Sequence, residues 1–201
     1  MMFSADWVTA AGTAMAGLAT LVGGWAAIRG VDAWRSEVVG RRKAELAEEV
    51  LAQFYRARDV LIWARLPDRP LDLDPQADDR DRRHRSHASP IERLTRESAL
   101  FSELQASRYR FMAYFGEDSA HPFEEMRAIH GEVMSSAESL IRDPDELASD
   151  TERDRWEDAI GWVDDGDDEL ARRLAETIAA VEQVCRPLIA EQHHLRLTKN
   201  A

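Results

Sequence analysis

The chain has a single cysteine among 201 residues, Cys185, so no disulfide can form within it. That agrees with a reducing compartment. Cys185 falls in an apolar helical stripe and reads as a small core residue rather than a nucleophile. Positive charge is scarce too: 26 Lys and Arg stand against 38 Asp and Glu, for a net charge of -12. Non-specific nucleic-acid binding needs a basic surface, so no nucleic-acid partner is expected. No run shows the strict apolar–polar alternation of a half-buried strand. Metal-binding patterns are also missing. There is no H-E-x-x-H, and the adjacent His193 and His194 diverge on a helix. His121 and Glu125 stand four apart on one helix face, a spacing that geometry allows, but His130 falls on another face. The acidic turn Asp164-Asp165-Gly166-Asp167-Asp168-Glu169 lacks the ligand order of a calcium loop, and Pro75 interrupts the Asp72–Asp78 run. Both read as solvated acidic loops, and no metal or other cofactor is expected.

Charge is wholly absent from one stretch, Trp7 to Ile28, twenty-two residues long. A bilayer core is about 30 Å thick and needs about 20 apolar residues to cross. As a helix this stretch would extend about 33 Å. Trp7 and Trp25 lie near its ends, where indole rings favour the headgroup level. Only Asp6 precedes it as a charged residue, whereas Arg29, Arg35, Arg41, Arg42 and Lys43 follow. Positive residues stay cytoplasmic, so the expectation is a single-pass span in a bacterial inner membrane, N-terminus out and C-terminal bulk in. The same five residues set topology or touch anionic headgroups. Two other readings are a cleaved signal peptide, which wants a basic n-region, and a helix buried in a soluble core, which a chain of this size surrounds poorly. At about 100° per residue, Thr13, Ala16, Gly17, Thr20 and Gly24 share one face and the larger Met15, Leu18, Val22 and Trp25 the other. Small residues let backbones approach, so the first face is a candidate helix–helix contact within the membrane.

The rest of the chain is periodic. Leu46, Val50, Phe54, Ala57 and Leu61 mark one helix face, with Ala47, Leu51 and Ile62 widening it, up to Pro67. Residues 67–90 carry three prolines before a dense mixed-charge run and read as a flexible charged loop. Ser89-Pro90-Ile91-Glu92 carries start signals for a helix through Leu94, Phe101, Leu104, Phe111 and Phe115, which Gly116 ends. A further helix from Pro122 presents Phe123, Met126, Ile129, Val133, Ala137 and Leu140 before Asp143-Pro144. A shorter one spans residues 151–163 with Trp156, Ile160 and Val163. The last runs through Leu170, Leu174, Ile178, Val181, Cys185 and Leu188, with Pro187 expected to kink or shorten it. The predicted fold is all-α: a tail and transmembrane anchor over 1–28, a juxtamembrane amphipathic helix over 29–66, the loop 67–90, and a cytoplasmic helical bundle over 91–201 that packs on 44–65. Short links give a bundle of about four or five helices.

The runs RRKAELAEEVLAQFYRAR (Arg41–Arg58), SRYRFMAYFGEDSAHPFEE (Ser107–Glu125) and VEQVCRPLIA (Val181–Ala190), with the N-terminal span, resemble a family of hypothetical bacterial membrane-anchored helical proteins. The resemblance covers most of the chain outside 67–90 and 143–165. It implies a bacterial source and an architecture, and it carries no activity and no functional residues.

Two further constellations merit weighing. Arg82 and His87 match the Arg-x4-His spacing of small helical nucleases of the HEPN kind, but within the expected loop. Arg108-Tyr109-Arg110-Phe111 could stack a base, yet reads more simply as a helix with Phe111 in the core and arginines around it. With no catalytic set in view, the expected function is a membrane-tethered interaction or scaffold module. Its partners would be the bilayer and either its own copies or another membrane protein. The alternative is an enzyme or effector whose site forms only on oligomerisation or with a partner, with the acidic turn and His121/Glu125 as its candidates.

Overall fold

The first helix, α1 (Ser4–Arg65), carries the longest apolar stripe of the described core. Leu46, Ala47, Val50, Leu51, Phe54, Ala57, Leu61 and Ala64 are all buried, on the 3–4 spacing that places them on one face. Five further α-helices follow: α2 (Asp79–Arg96), α3 (Ser98–Phe115), α4 (His121–Arg142), α5 (Asp150–Ile160) and α6 (Glu169–Lys199), with a 3-10 turn at Glu117–Ala120. The computed structural model describes the backbone of residues 4–67, 78–143, 147–161 and 168–199, and side chains within these for 34–67, 78–143, 147–161 and 168–192. Every regular element among the described residues is helical, as the absence of alternation predicts. The chain divides into two compact units, Met1–Lys43 and Ala44–Ala201, and the bundle is the second.

α4 sits at the centre of the bundle, in contact with α2, α3, α5 and α6. Its six expected core residues, Phe123 through Leu140, are all buried. Phe123 meets Phe54 of α1 edge-on, with centroids 4.9 Å apart, and Phe111 of α3 at 5.5 Å. Such pairs add about 0.5–1.5 kcal/mol each beyond the area they bury. From α6, Leu170, Leu174, Ile178, Val181 and Cys185 complete the core. Leu188 and Phe115 are only half-buried at its edge. In α5 the buried residue is Ala159, while Trp156 and Ile160 are partly exposed.

The flexible loop expected over 67–90 is corrected in its second half. Residues 79–90 are helical, and residues 68–77 lie outside the described ones. The start signal is Asp78, whose side chain accepts the amide of Asp81 at 2.7 Å. Asp79 and Arg82 pair at i,i+3 along the first turns. Pro90 therefore lies inside α2, where a proline costs roughly 3 kcal/mol. Burial of Pro90 and Leu94 offsets that cost, in a helix that packs on α4. The single helix expected from Ser89 to Phe115 is two, broken at Glu97. Pro187 does not end α6, which runs on to Lys199. Gln183 and Pro187 are both exposed, so water can take up the carbonyl that the proline leaves without a donor.

Gly116 ends α3 as expected and is the described glycine with positive φ, at +92°. A side chain there would be strained, which is why glycine suits the turn into α4. Among the described residues no helix is long and apolar enough to cross a membrane. The backbone of 4–33 is helical, but the side chains of the expected span Trp7–Ile28 lie outside the described residues.

Candidate functional site

Arg65, at the last turn of α1, is bonded to two other segments of the bundle at once. It continues the buried stripe four residues after Leu61, and its side chain is 2% exposed. Its Nε donates to the carbonyl of Ala159 at 2.9 Å, and Nη2 donates to the carbonyls of Asp158 at 2.9 Å and Gly161. These are the last carbonyls of α5, which have no partner within their own helix and carry the negative end of its dipole. Nη2 also pairs with the carboxylate of Asp168, 5% exposed, at 2.9 Å. Asp168 in turn accepts the amide of Ala171 at 2.9 Å and so caps α6. One guanidinium thus closes the end of α5 and ties it to the start of α6.

A similar device joins α4 to α5. Asp143 accepts the amides of Leu147 and Ala148 and pairs with Arg153 at 3.4 Å. Ser149 and Glu152 then form a reciprocal capping box at the start of α5. The hydrogen bonds from Ser149 hold the Glu152 carboxyl below its ordinary range.

Two polar clusters join α6 to its neighbours. Tyr55 of α1 donates its hydroxyl to Glu182 at 2.5 Å, and Arg186 reaches both. The bond to Glu182 raises the phenol, and the same bond, helped by Arg186, lowers the carboxyl. Each is pushed away from neutrality, so neither suits general acid–base work there. Arg173 holds Glu125 at 2.8 Å and Glu132 at 2.7 Å across α4 and α6.

The sequence candidates are placed as follows. Thr13, Ala16, Gly17, Thr20, Gly24 and Arg29 have side chains outside the described residues. Arg35, Arg41 and Arg42 are exposed and Lys43 is half-buried. His121 opens α4, but Glu125 is committed to Arg173, so the pair forms no ligand set. Of the acidic turn, 164–167 lie outside the described residues. Asp168 does meet an arginine, but in a buried capping role with almost no access. Arg82 and His87 are on a helix, contrary to the expected loop, yet five residues apart they are separated by about 140° around it. Arg82 faces solvent with Asp79, and His87 is half-buried with its imidazole lowered chiefly by desolvation. The two do not act together.

Arg108 and Arg110 pair with Glu124 and Glu49, and Phe111 is buried, while Tyr109 is exposed with the Arg108 guanidinium over its ring. Cys185 is buried, and burial pushes its thiol up to about 12. A thiol held protonated is a poor nucleophile. His130 packs against Phe101 with centroids 4.2 Å apart, and burial lowers its imidazole. Among the described residues no group of three or more His, Cys, Asp or Glu could hold a metal ion.

Sequence reasoning missed Arg65. Its only signal was an arginine on a core position of an amphipathic stripe. Its partners lie 93 to 103 residues away, beyond the reach of any local pattern. Compared with protein-family models, curated proteins and solved structures, the chain finds no match.

Proposed function

We propose that the chain is a membrane-tethered helical interaction module. The observation that carries this reading is the uncharged stretch Trp7–Ile28 followed by Arg29, Arg35, Arg41, Arg42 and Lys43. A stretch of that length and neutrality suits a span of a bacterial inner membrane, and the basic flank directs its C-terminal side to the cytoplasm. The resemblance to hypothetical bacterial membrane-anchored proteins points the same way. The bundle adds support in kind: its buried and half-buried polar groups close helix ends and join helices, which suits a rigid module that presents surfaces. Self-association through Thr13, Ala16, Gly17, Thr20 and Gly24, or contact with another membrane protein on that face, is the expected mode of assembly.

Protease added outside spheroplasts should leave residues 40–201 intact until the membrane is permeabilised. Digestion without permeabilisation would reverse the orientation. In a bilayer association reporter, Gly17→Ile and Gly24→Ile should abolish the signal, whereas Leu18→Ile and Val22→Ile should keep it. Equal effects on both faces, or no signal from the natural span, would remove the contact.

A further inference from the structure

α2 changes character halfway along. Residues 78–86 are exposed without exception, the longest such run among the described residues. An α-helix has about 3.6 residues per turn, so a run of that length goes more than twice around it and leaves no buried face. The stretch also has nothing to bury. From Asp78 to His87 there is no apolar side chain, and Ala88 is the first. His87, Ala88 and Ser89 are half-buried, and Pro90 and Leu94 are buried. The second half of α2 therefore belongs to the core, and the first half stands beyond it.

The boundary coincides with Pro90. In an α-helix the amide of residue 90 would donate to the carbonyl of Ser86, and a proline has no amide hydrogen to give. Its ring also crowds that carbonyl. The missing rung thus falls at the last of the exposed residues. The first half carries supports of its own. Asp78 accepts the amide of Asp81 at 2.7 Å, Arg82 pairs with Asp79 at 3.3 Å, and Ser86 donates its hydroxyl to the carbonyl of Arg83 at 2.9 Å. Such supports favour a helix locally. A helix shorter than about 12–15 residues is nonetheless marginal in water without an apolar face to pack.

We propose that residues 79–86 form an arm that melts and refolds about a hinge at Pro90 while the bundle stays folded. Melting uncovers no apolar side chain, so the core is indifferent to the state of the arm. A segment that orders and disorders apart from its core can act as a switch, because an outside contact can fix or release it without unfolding the rest. The arm needs no membrane, and its behaviour is independent of the span.

The test is amide hydrogen exchange on the full chain in detergent, resolved to single residues. The amides of residues 82–87 should be slowed less than about tenfold relative to an unfolded chain, and those of the buried Leu94 in the same helix and Ile129 in α4 more than about a thousandfold. His84→Gly, in the exposed middle of the arm, should erase the remaining protection of 82–87 and leave Leu94 and Ile129 unchanged. Pro90→Ala restores the amide donor and should raise protection at 82–87 by about threefold or more. Loss of packing at a buried site can only lower protection, so that gain would belong to the restored rung. Equal protection of 82–87 and Leu94 would overturn the arm. So would a His84→Gly chain in which Leu94 and Ile129 lose protection together with 82–87. A Pro90→Ala chain without the gain would overturn the hinge.

Discussion

Arg41 and Arg65 lie on the same helix and are used in opposite ways. Arg65 is buried, bonded to three carbonyls and a carboxylate, and joins two other helices. Arg41 is exposed and, among the described residues, has no polar partner. A buried charge is tolerated only when its donors are met, so the position of Arg65 is dictated by the bundle. An exposed one costs little, because water already solvates it.

The sharpest way to break this contrast is to remove each charge in turn. Arg65→Ala should destabilise the bundle by about 3–5 kcal/mol, because it strands the buried Asp168 and the end of α5. Arg41→Ala should stay within about 0.5 kcal/mol. Denaturant unfolding of the full chain in detergent measures both. Equal losses would show that Arg65 is no latch. The pair with Asp168→Ala should be strongly non-additive, since either change alone breaks the same contact.

Smaller devices should have smaller effects. Ser149→Ala removes the capping box of α5 and should cost about 1 kcal/mol in the same assay. A value near that of Arg65→Ala would move the latch to the α4–α5 link.

His130 offers a test by pH. Burial against Phe101 disfavours its charged form, so its folded value lies below the unfolded one. As pH falls below about 6.5, the unfolded chain takes the proton first, and stability is lost from there downward. Stability is full above that range. His130→Leu should remove part of the slope between mildly acidic and neutral pH, and an unchanged slope would assign it to other groups such as His87.

The gentlest probe is Cys185. Its buried thiol, pushed up to about 12, should react with a thiol reagent no faster than the bundle opens. Rapid labelling under native conditions would mean that the core at α6 is open.

Much of the bundle was legible because periodic apolar residues must share a face. Phe123 through Leu140 and Leu170 through Cys185 were placed correctly on that ground alone. What failed was punctuation by proline. Ser89-Pro90 resembled a helix start and Pro187 was expected to kink or shorten the last helix, yet Pro90 lies inside α2 and α6 runs on past Pro187 to Lys199. Packing of Pro90 into the core and the solvent exposure of Pro187 outweighed the local rule, and neither shows in local sequence. The dense charges of 78–85 suggested disorder, but Asp78 capped the run and Asp79–Arg82 supported it. The polar clusters were the least legible part. Arg65 with Asp168 and Tyr55 with Glu182 join residues more than a hundred apart, and only the completed topology brings them together.

The central claim, that the uncharged stretch 7–28 anchors the chain in a bilayer, is tested most directly by washing the membranes that contain it. Cells expressing the full chain are broken, and the membrane fraction is extracted first with high salt and then with alkaline carbonate. The account predicts that the chain stays in the pellet through both washes and is released only by detergent. Recovery in the high-salt supernatant would contradict it, leaving at most an electrostatic contact of the basic flank Arg29, Arg35, Arg41, Arg42 and Lys43.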